Sequence, residues 1–304
     1  MSFTVKKIPT NYFFRAFFKI VFKIISNKEQ KHNRRLWPYY SIVRNNDDEI
    51  EKVFFNNDLI IDQTHRVVNT QHNKDLMLIA SGPSIKNLSK TFFTSEKIDY
   101  MGVNGSISLD YVKFKYYVII DHTFIMNKFD LVEKVLNLNL TLFTNPRCLD
   151  LILRRKKIES IQCKIRIIEM INNKKQKENF MKELKNIDVN SNNFYIKNGF
   201  GFSKNSSYAI FDYFTVAYSA LQIIYSLNYK NIYLAGIDLN NFSQPRFYEN
   251  KNNIQKSYLY VNSHLVLQAF DVAAQLLEKE NFKVINLSQD SALECFEKSN
   301  SLNI

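Results

Sequence analysis

Glycine is scarce here. There are 6 in 304 residues, and none falls in the Gly-x-Gly-x-x-Gly spacing of a dinucleotide loop or beside the Lys-Ser/Thr of a triphosphate loop. Cysteine is scarcer still. Cys148, Cys163 and Cys295 form no Cys-x-x-Cys pair, and an odd number at wide spacing argues against a disulfide framework or zinc site and fits a reducing cytosol. No His/Cys/Asp cluster has metal-ligand spacing; the Asp47-Asp48 pair sits in a charged loop. A Gly-x-Ser-x-Gly elbow is missing, which disfavours a Ser-His-Asp hydrolase. No secretory leader is evident, because the first apolar stretch is broken by charges.

What is present is apolar and basic. The chain is 45% hydrophobic and 14% aromatic, enough for one large domain or one domain plus an appendage. The net charge of +12 favours acidic partners: nucleotides, nucleic acid or an anionic membrane. The competing explanation is AT-rich codon bias, which raises Lys, Asn, Ile, Phe and Tyr together. Nucleic-acid binding is the rival from another class, but the aromatics fall within apolar strand and helix patterns, and no helix-turn-helix or RNA-binding aromatic signature stands out.

Residues 12–25 read YFFRAFFKIVFKII. Arg15, Lys19 and Lys23 recur every four residues, so a helix places them in one stripe among Phe, Ile and Val. The stretch is too short and too charged to span a bilayer. Two readings remain: a helix in the membrane interface with its cations on acidic headgroups, or a helix packed on the main domain with a solvated basic edge. Lys28, Lys31, Arg34 and Arg35 extend the basic patch. The reading sets 1–74 apart as a basic amphipathic extension and 75–304 as the main domain.

From residue 75, apolar runs at 75–80, 99–103, 116–120, 139–143, 163–169, 231–235 and 282–287 alternate with helical patterns at 123–136, 172–186, 212–227 and 264–281. Continuous apolar runs are expected of strands covered on both faces. The alternation predicts a doubly wound α/β fold with a mainly parallel sheet. The Lys/Asn/Ser-rich stretch 171–206 is either a flap over a site or a polar connection, and 240–262 is a second lid candidate. Ligands of such sheets bind at strand carboxyl ends. Those ends carry Ser81-Gly82-Pro83-Ser84, Asn104-Gly105-Ser106, Asp121-His122 and Gly236-Ile237-Asp238. In the first, Gly82 permits close backbone approach, Pro83 suits a first helical turn, and the amides of Ser84 and Ile85 are left to face an anion.

Three stretches, ASGPSIKNL (80–88), LNYKNIYLAGIDL (227–239) and SHLVLQAFDVAAQLLEKENFKVINLSQDS (263–291), resemble in order and spacing the bacterial sialyltransferases of glycosyltransferase family 42. The resemblance covers roughly 75–295. It implies a Rossmann-like, GT-A-like domain with a small lid, metal-independent and inverting, which needs no cofactor and takes a sugar from a CMP-activated donor. It places Gly82, Pro83, Ser84 and Asn104 at the nucleotide. Asp121 falls where the family has a second Asn, Thr215 where a Thr-Ser-Gly begins, and Asn240 and Tyr248 near two tyrosines that assist the leaving phosphate. His264 falls at the catalytic base. A neutral imidazole suits that task near neutral pH; His122 is a donor contact or substitute base.

The expectation is therefore a glycosyltransferase moving sialic acid, or a related eight- or nine-carbon acid, to a lipooligosaccharide or other surface glycan, located in the cytoplasm at the inner membrane face, with no nucleic-acid partner. The alternatives are a related nucleotide-binding enzyme with another donor, including a pterin diphosphokinase-like one, and a nucleic-acid-binding protein.

Overall fold

The computed structural model describes residues 7–65, 73–240, 242, 244–250 and 259–302. Helix α1 (Tyr12–Ile25) precedes an antiparallel sheet of β1 (Tyr40–Arg44), β2 (Ile50–Phe55) and β3 (Asp58–Asp62). The main sheet begins with β4 (Asp75–Ile79), β5 (Ile98–Val103) and β6 (Phe114–Ile119). Helices α2 (His122–Asn127) and α3 (Phe129–Leu136) follow, then β7 (Thr141–Thr144), α4 (Pro146–Leu153) and β8 (Lys164–Ile167). Six short strands come next: β9 (Met170–Ile171), β10 (Gln176–Lys177), β11 (Lys185–Asn186), β12 (Phe194–Lys197), β13 (Phe200–Ser203) and β14 (Ile210–Phe211). The chain closes with α5 (Val216–Ser226), β15 (Asn231–Ala235), α6 (Leu259–Lys279), β16 (Lys283–Asn286) and β17 (Glu297–Lys298).

Eight of these strands form one parallel sheet in the order β17-β16-β15-β4-β5-β6-β7-β8. This is the doubly wound α/β architecture. Along β4, Leu76 and Leu78 join one core layer and Met77 and Ile79 the other, as the two-residue period of a strand requires. Helices α5 and α6 cover the first face. Helices α2, α3 and α4 cover the second, together with Leu36, Tyr39, Tyr40, Ile50, Val53 and Ile61. The described part of 1–74 thus shares the core of the main domain.

The helical pattern at 172–186 does not form a helix. Its Lys- and Glu-rich composition favours one, but the Asn172 side chain accepts from the amides of Lys174 and Gln176 and makes a turn. Lys175 and Met181 then take positive φ, 57° and 59°, outside helical backbone. Tertiary pairing completes the override. Lys177 is fully buried, with its Nζ 3.1 Å from Glu169 and 3.2 Å from Asp48. Arg44 grips the same Glu169, with Nη1 at 2.9 Å. A buried carboxylate is tolerable only when paired in this way. Phe180, Phe194 and Phe202 are buried as well, so 171–206 is built into the body. The other lid candidate, 240–262, lies partly outside the described residues.

Candidate active site

The sheet order reverses at β4, which has β5 on one side and β15 on the other. Carboxyl ends at such a switch point diverge and open a crevice. A cleft of about 480 Å³ lies there, within the usual range of ligand sites. Its walls include Gly82, Pro83, Asn104, Asp121, His122 and Thr215. Ser84 lines an adjoining hollow that shares Pro83, Asp238 and Gln244 with the cleft.

The first loop is fastened differently from its sequence reading. The Ser84 amide donates to Asp238 Oδ2 at 3.0 Å and its hydroxyl to the other carboxylate oxygen. The Ile85 amide donates to the Gly82 carbonyl at 3.3 Å. Both amides expected to face an anion are therefore engaged within the protein, and only a five-residue 3₁₀ turn, Pro83–Asn87, follows them. Gly82 is required by this fit: a Cβ there would lie 2.5 Å from Asp238 Oδ2 and 2.6 Å from the Gly236 carbonyl oxygen.

Asn104 begins the turn after β5 at φ 46°. Its carbonyl accepts from the Tyr117 hydroxyl at 2.7 Å, while its own buried Oδ1 has no hydrogen-bond partner among the described residues. Gly105 beside it carries the ring of Tyr248; a Cβ would sit 2.0 Å from that ring. Three other cleft residues hold positive φ: Phe214 at 62°, Gly236 at 74° and Leu239 at 56°. For bulky Phe and Leu this backbone is costly, and such strain gathers at functional sites.

The titratable groups divide into held and open. Asp238 is held by Ser84, and Glu249 accepts from Arg246 Nη1 at 2.8 Å. Asp121 caps α2, accepting from the Thr123 amide at 2.8 Å and hydroxyl at 2.6 Å. His122 is half-buried; desolvation first, then Arg147 and Arg35, lower its pKa against the opposing pull of Asp121. It is neutral near pH 7. Asp212 is pushed up to about 6, chiefly by desolvation and then by the like charges of Asp121 and Glu178, against a hydrogen bond from the Phe214 amide that lowers it; the residue is exposed, so solvent screens part of that effect. Burial raises Tyr248 to about 12, so it stays a hydroxyl donor.

The remaining sequence candidates lie outside this lining. Asn240 is exposed and donates to the Asp290 carbonyl. Tyr248 is half-buried on Gly105, edge-on to Phe247. His264 is exposed in the second turn of α6, whose first residue, Leu259, lines the cleft; a five-residue separation is about 7.5 Å along the axis. Residues 251–258, just before α6, lie outside the described residues. Asp212, Arg246 and Glu249 do line the cleft, although no motif marks them. Arg246 carried one signal: it is the sole arginine after Arg166.

The family described as 3-deoxy-D-manno-octulosonic acid transferase WaaZ matches residues 59–296. The chain belongs to this family. The matched region contains every residue that lines the cleft. A probable 3-deoxy-manno-octulosonic acid transferase of Salmonella typhimurium is 34% identical over 93 residues, 31% of this chain and 34% of that protein. The chain thus spans about a third of the length of that curated relative. Among solved structures, the Campylobacter jejuni sialyltransferase CstII is similar at a TM-score of 0.35 and 16% identity, over 76% of this chain and 89% of that one. An α-2,3-sialyltransferase of the same organism gives 0.29 and 18%, over 77% and 84%. No helix among the described residues is long and apolar enough to cross a membrane.

Proposed function

We propose that this protein transfers 3-deoxy-D-manno-octulosonic acid from a CMP-activated donor to a hydroxyl of a lipopolysaccharide-type glycan. The observation that carries this reading is the family match, which encloses the whole switch-point cleft. The sugar is an eight-carbon acid, within the class read from the sequence; sialic acid is its nine-carbon counterpart. Each has a carboxylate on the anomeric carbon, so the site must accommodate two anionic groups.

In the reaction, the acceptor oxygen bonds to the anomeric carbon as the bond from that carbon to the phosphate oxygen breaks. CMP leaves with that electron pair, and the acceptor's proton passes to a base. Arg246, in the cleft wall and paired through Nη1 with Glu249, is the proposed cation for the donor's anionic groups. Asn104 offers its unpartnered Oδ1 to a donor hydroxyl or amino group. Tyr248, held as a neutral phenol, is the proposed donor to the departing phosphate, and His264 the proposed base. A second reading rests on one observation: His122 lines the cleft and is neutral near pH 7, which suits it to act as the base itself.

The test is CMP release with CMP-octulosonic acid, CMP-sialic acid, and UDP- and GDP-sugars, in the wild type and in His264→Ala and His122→Ala. The octulosonic donor should turn over fastest. The alanine variant that removes the base should lose about 10²–10⁴-fold in kcat with little change in donor affinity. Preference for a UDP- or GDP-sugar would overturn the donor assignment, and near-normal turnover in both variants would overturn the histidine chemistry.

A further inference from the structure

Helix α1 turns the wrong way for a helix of a water-soluble surface. Its inward side carries Arg15, 7% exposed, whose Nη1 lies 2.9 Å from Asp150 of α4, and Phe22, 4% exposed against Trp37. Phe18 packs edge-on to Trp37 and Tyr39 beside them. The outward side carries Phe13, Phe17, Ile20 and Ile24, which are 72%, 51%, 63% and 78% exposed. At 100° per residue these four lie within about 60° of arc, opposite Arg15 and Phe22. Tyr12 and Ile25 widen the apolar area at either end, at 88% and 64% exposed. A contiguous face of large apolar side chains in water is an interaction surface.

Charge identifies what covers it. Residues 12–35 hold seven Lys or Arg and one acid, Glu29. Arg15 is spent on Asp150, but Lys23, Lys28, Lys31 and Arg35 are exposed. Lys19 stands among Arg154, Arg35, Arg15 and Arg34, close enough that these cations depress its pKa after desolvation does. A protein core partner would have to desolvate this rim, whereas a bilayer takes apolar side chains between its acyl chains and leaves cations at its headgroups. The basic band also reaches the active site: Arg35 acts electrostatically on Arg147 and on His122, which lines the cleft.

We propose that the Phe13/Phe17/Ile20/Ile24 face of α1 inserts into the interface of an anionic lipid bilayer, with Lys19, Lys23, Lys31 and Arg35 on the headgroups, and that this docking holds the cleft near a membrane-borne acceptor. The arrangement differs at one residue from the interface helix that the sequence suggested. Only Arg15 leaves the cationic stripe: its pair with Asp150 turns it toward the domain, while Lys19 and Lys23 stay at the edge of the outward apolar face.

Deleting the N-terminus would break the Arg15–Asp150 pair, so the test uses surface substitutions in the full chain. Wild type and a Phe13→Ser/Phe17→Ser/Ile20→Ser/Ile24→Ser variant are sedimented with vesicles of phosphatidylcholine alone and of equal parts phosphatidylcholine and phosphatidylglycerol. Wild type should partition onto the anionic vesicles, and the serine variant should lose about 100-fold or more in partitioning with an unchanged melting curve. A Lys23→Glu/Lys31→Glu variant should lose about tenfold or more, and salt should weaken the wild type. Absence of wild-type binding, or undiminished binding by the serine variant, overturns the proposal. So does a wild-type dimer in light scattering that the serine substitutions convert to monomer, since the face would then belong to a second copy. None of these outcomes depends on which sugar donor is used.

Discussion

Replacing Asp238 with alanine tests how the switch point is built. The carboxylate is 6% exposed, accepts from the Ser84 amide at 3.0 Å and also takes the Ser84 hydroxyl. Hydrogen bonds to a charged acceptor contribute about 1.5–3 kcal/mol each, and an amide left unpaired costs its desolvation. The hydroxyl has a fallback in Ser288 Oγ at 2.8 Å, so the net loss should be about 2–3 kcal/mol rather than twice that. With a urea slope of about 3 kcal/mol/M, the unfolding midpoint should fall by about 0.8 M. Asp238→Asn keeps an oxygen for the Ser84 amide but loses the charge and turns the second acceptor into an NH2 donor. The Ser84 oxygen can accept from that donor while its hydroxyl donates to Ser288, so the midpoint should fall by about 0.3 M. Fluorescence and circular dichroism should report coincident transitions. An unchanged midpoint in the alanine variant would refute the anchoring role. CMP titrations give a separate check. If Asp238 anchors the loop, the alanine variant binds CMP more weakly. Tighter binding would mean that Asp238 only keeps a phosphate seat filled.

The other predictions concern charge and packing. Asp212→Asn should remove a pH dependence of CMP affinity. As pH rises through about 6, Asp212 ionises and repels the nucleotide, so wild type should weaken by roughly fivefold relative to the variant; taking the ratio of the two cancels the nucleotide's own titration, and a flat ratio measured by calorimetry would count against Asp212 facing the donor. In stability the sign is the reverse of a paired carboxylate: the raised pKa means the folded state binds more protons between about 3.8 and 6, so wild type should lose stability relative to Asp212→Asn as pH rises through that window. Gly105→Ala should displace the Tyr248 ring, which a Cβ would meet at 2.0 Å, and lower stability by about 1–3 kcal/mol, measured by urea unfolding. Glu169→Ala should cost about 3–5 kcal/mol, because it leaves buried Lys177 and Arg44 without their shared carboxylate; a melting temperature equal to wild type would show that the cluster contributes little.

How much of this was legible in the sequence follows from where each feature gets its energy. The strands of the main sheet could be read because burial on both faces leaves continuous apolar runs such as DLMLI, and the carboxyl-end rule then named Gly82, Asn104, Asp121 and His122 from position alone. These features depend on neighbours in sequence. The misread ones depend on partners far away. Residues 172–186 have helix-forming composition, but Lys177 pairs with Glu169 and with Asp48, 129 positions earlier. The Ser84 amide seemed free for an anion because its acceptor, Asp238, comes 154 positions later. Arg15 reads as one more cation of the α1 stripe because its partner, Asp150, lies 135 positions away. In each case buried ionic or charge-assisted contacts to distant residues overrode the local pattern or drew one of its members inward. A solvated cation or amide is satisfied by water in many orientations, whereas one drawn into the interior must find its partner there. The residues whose orientation a sequence least constrains are therefore the polar ones the fold buries, and at this switch point those residues also shape the site.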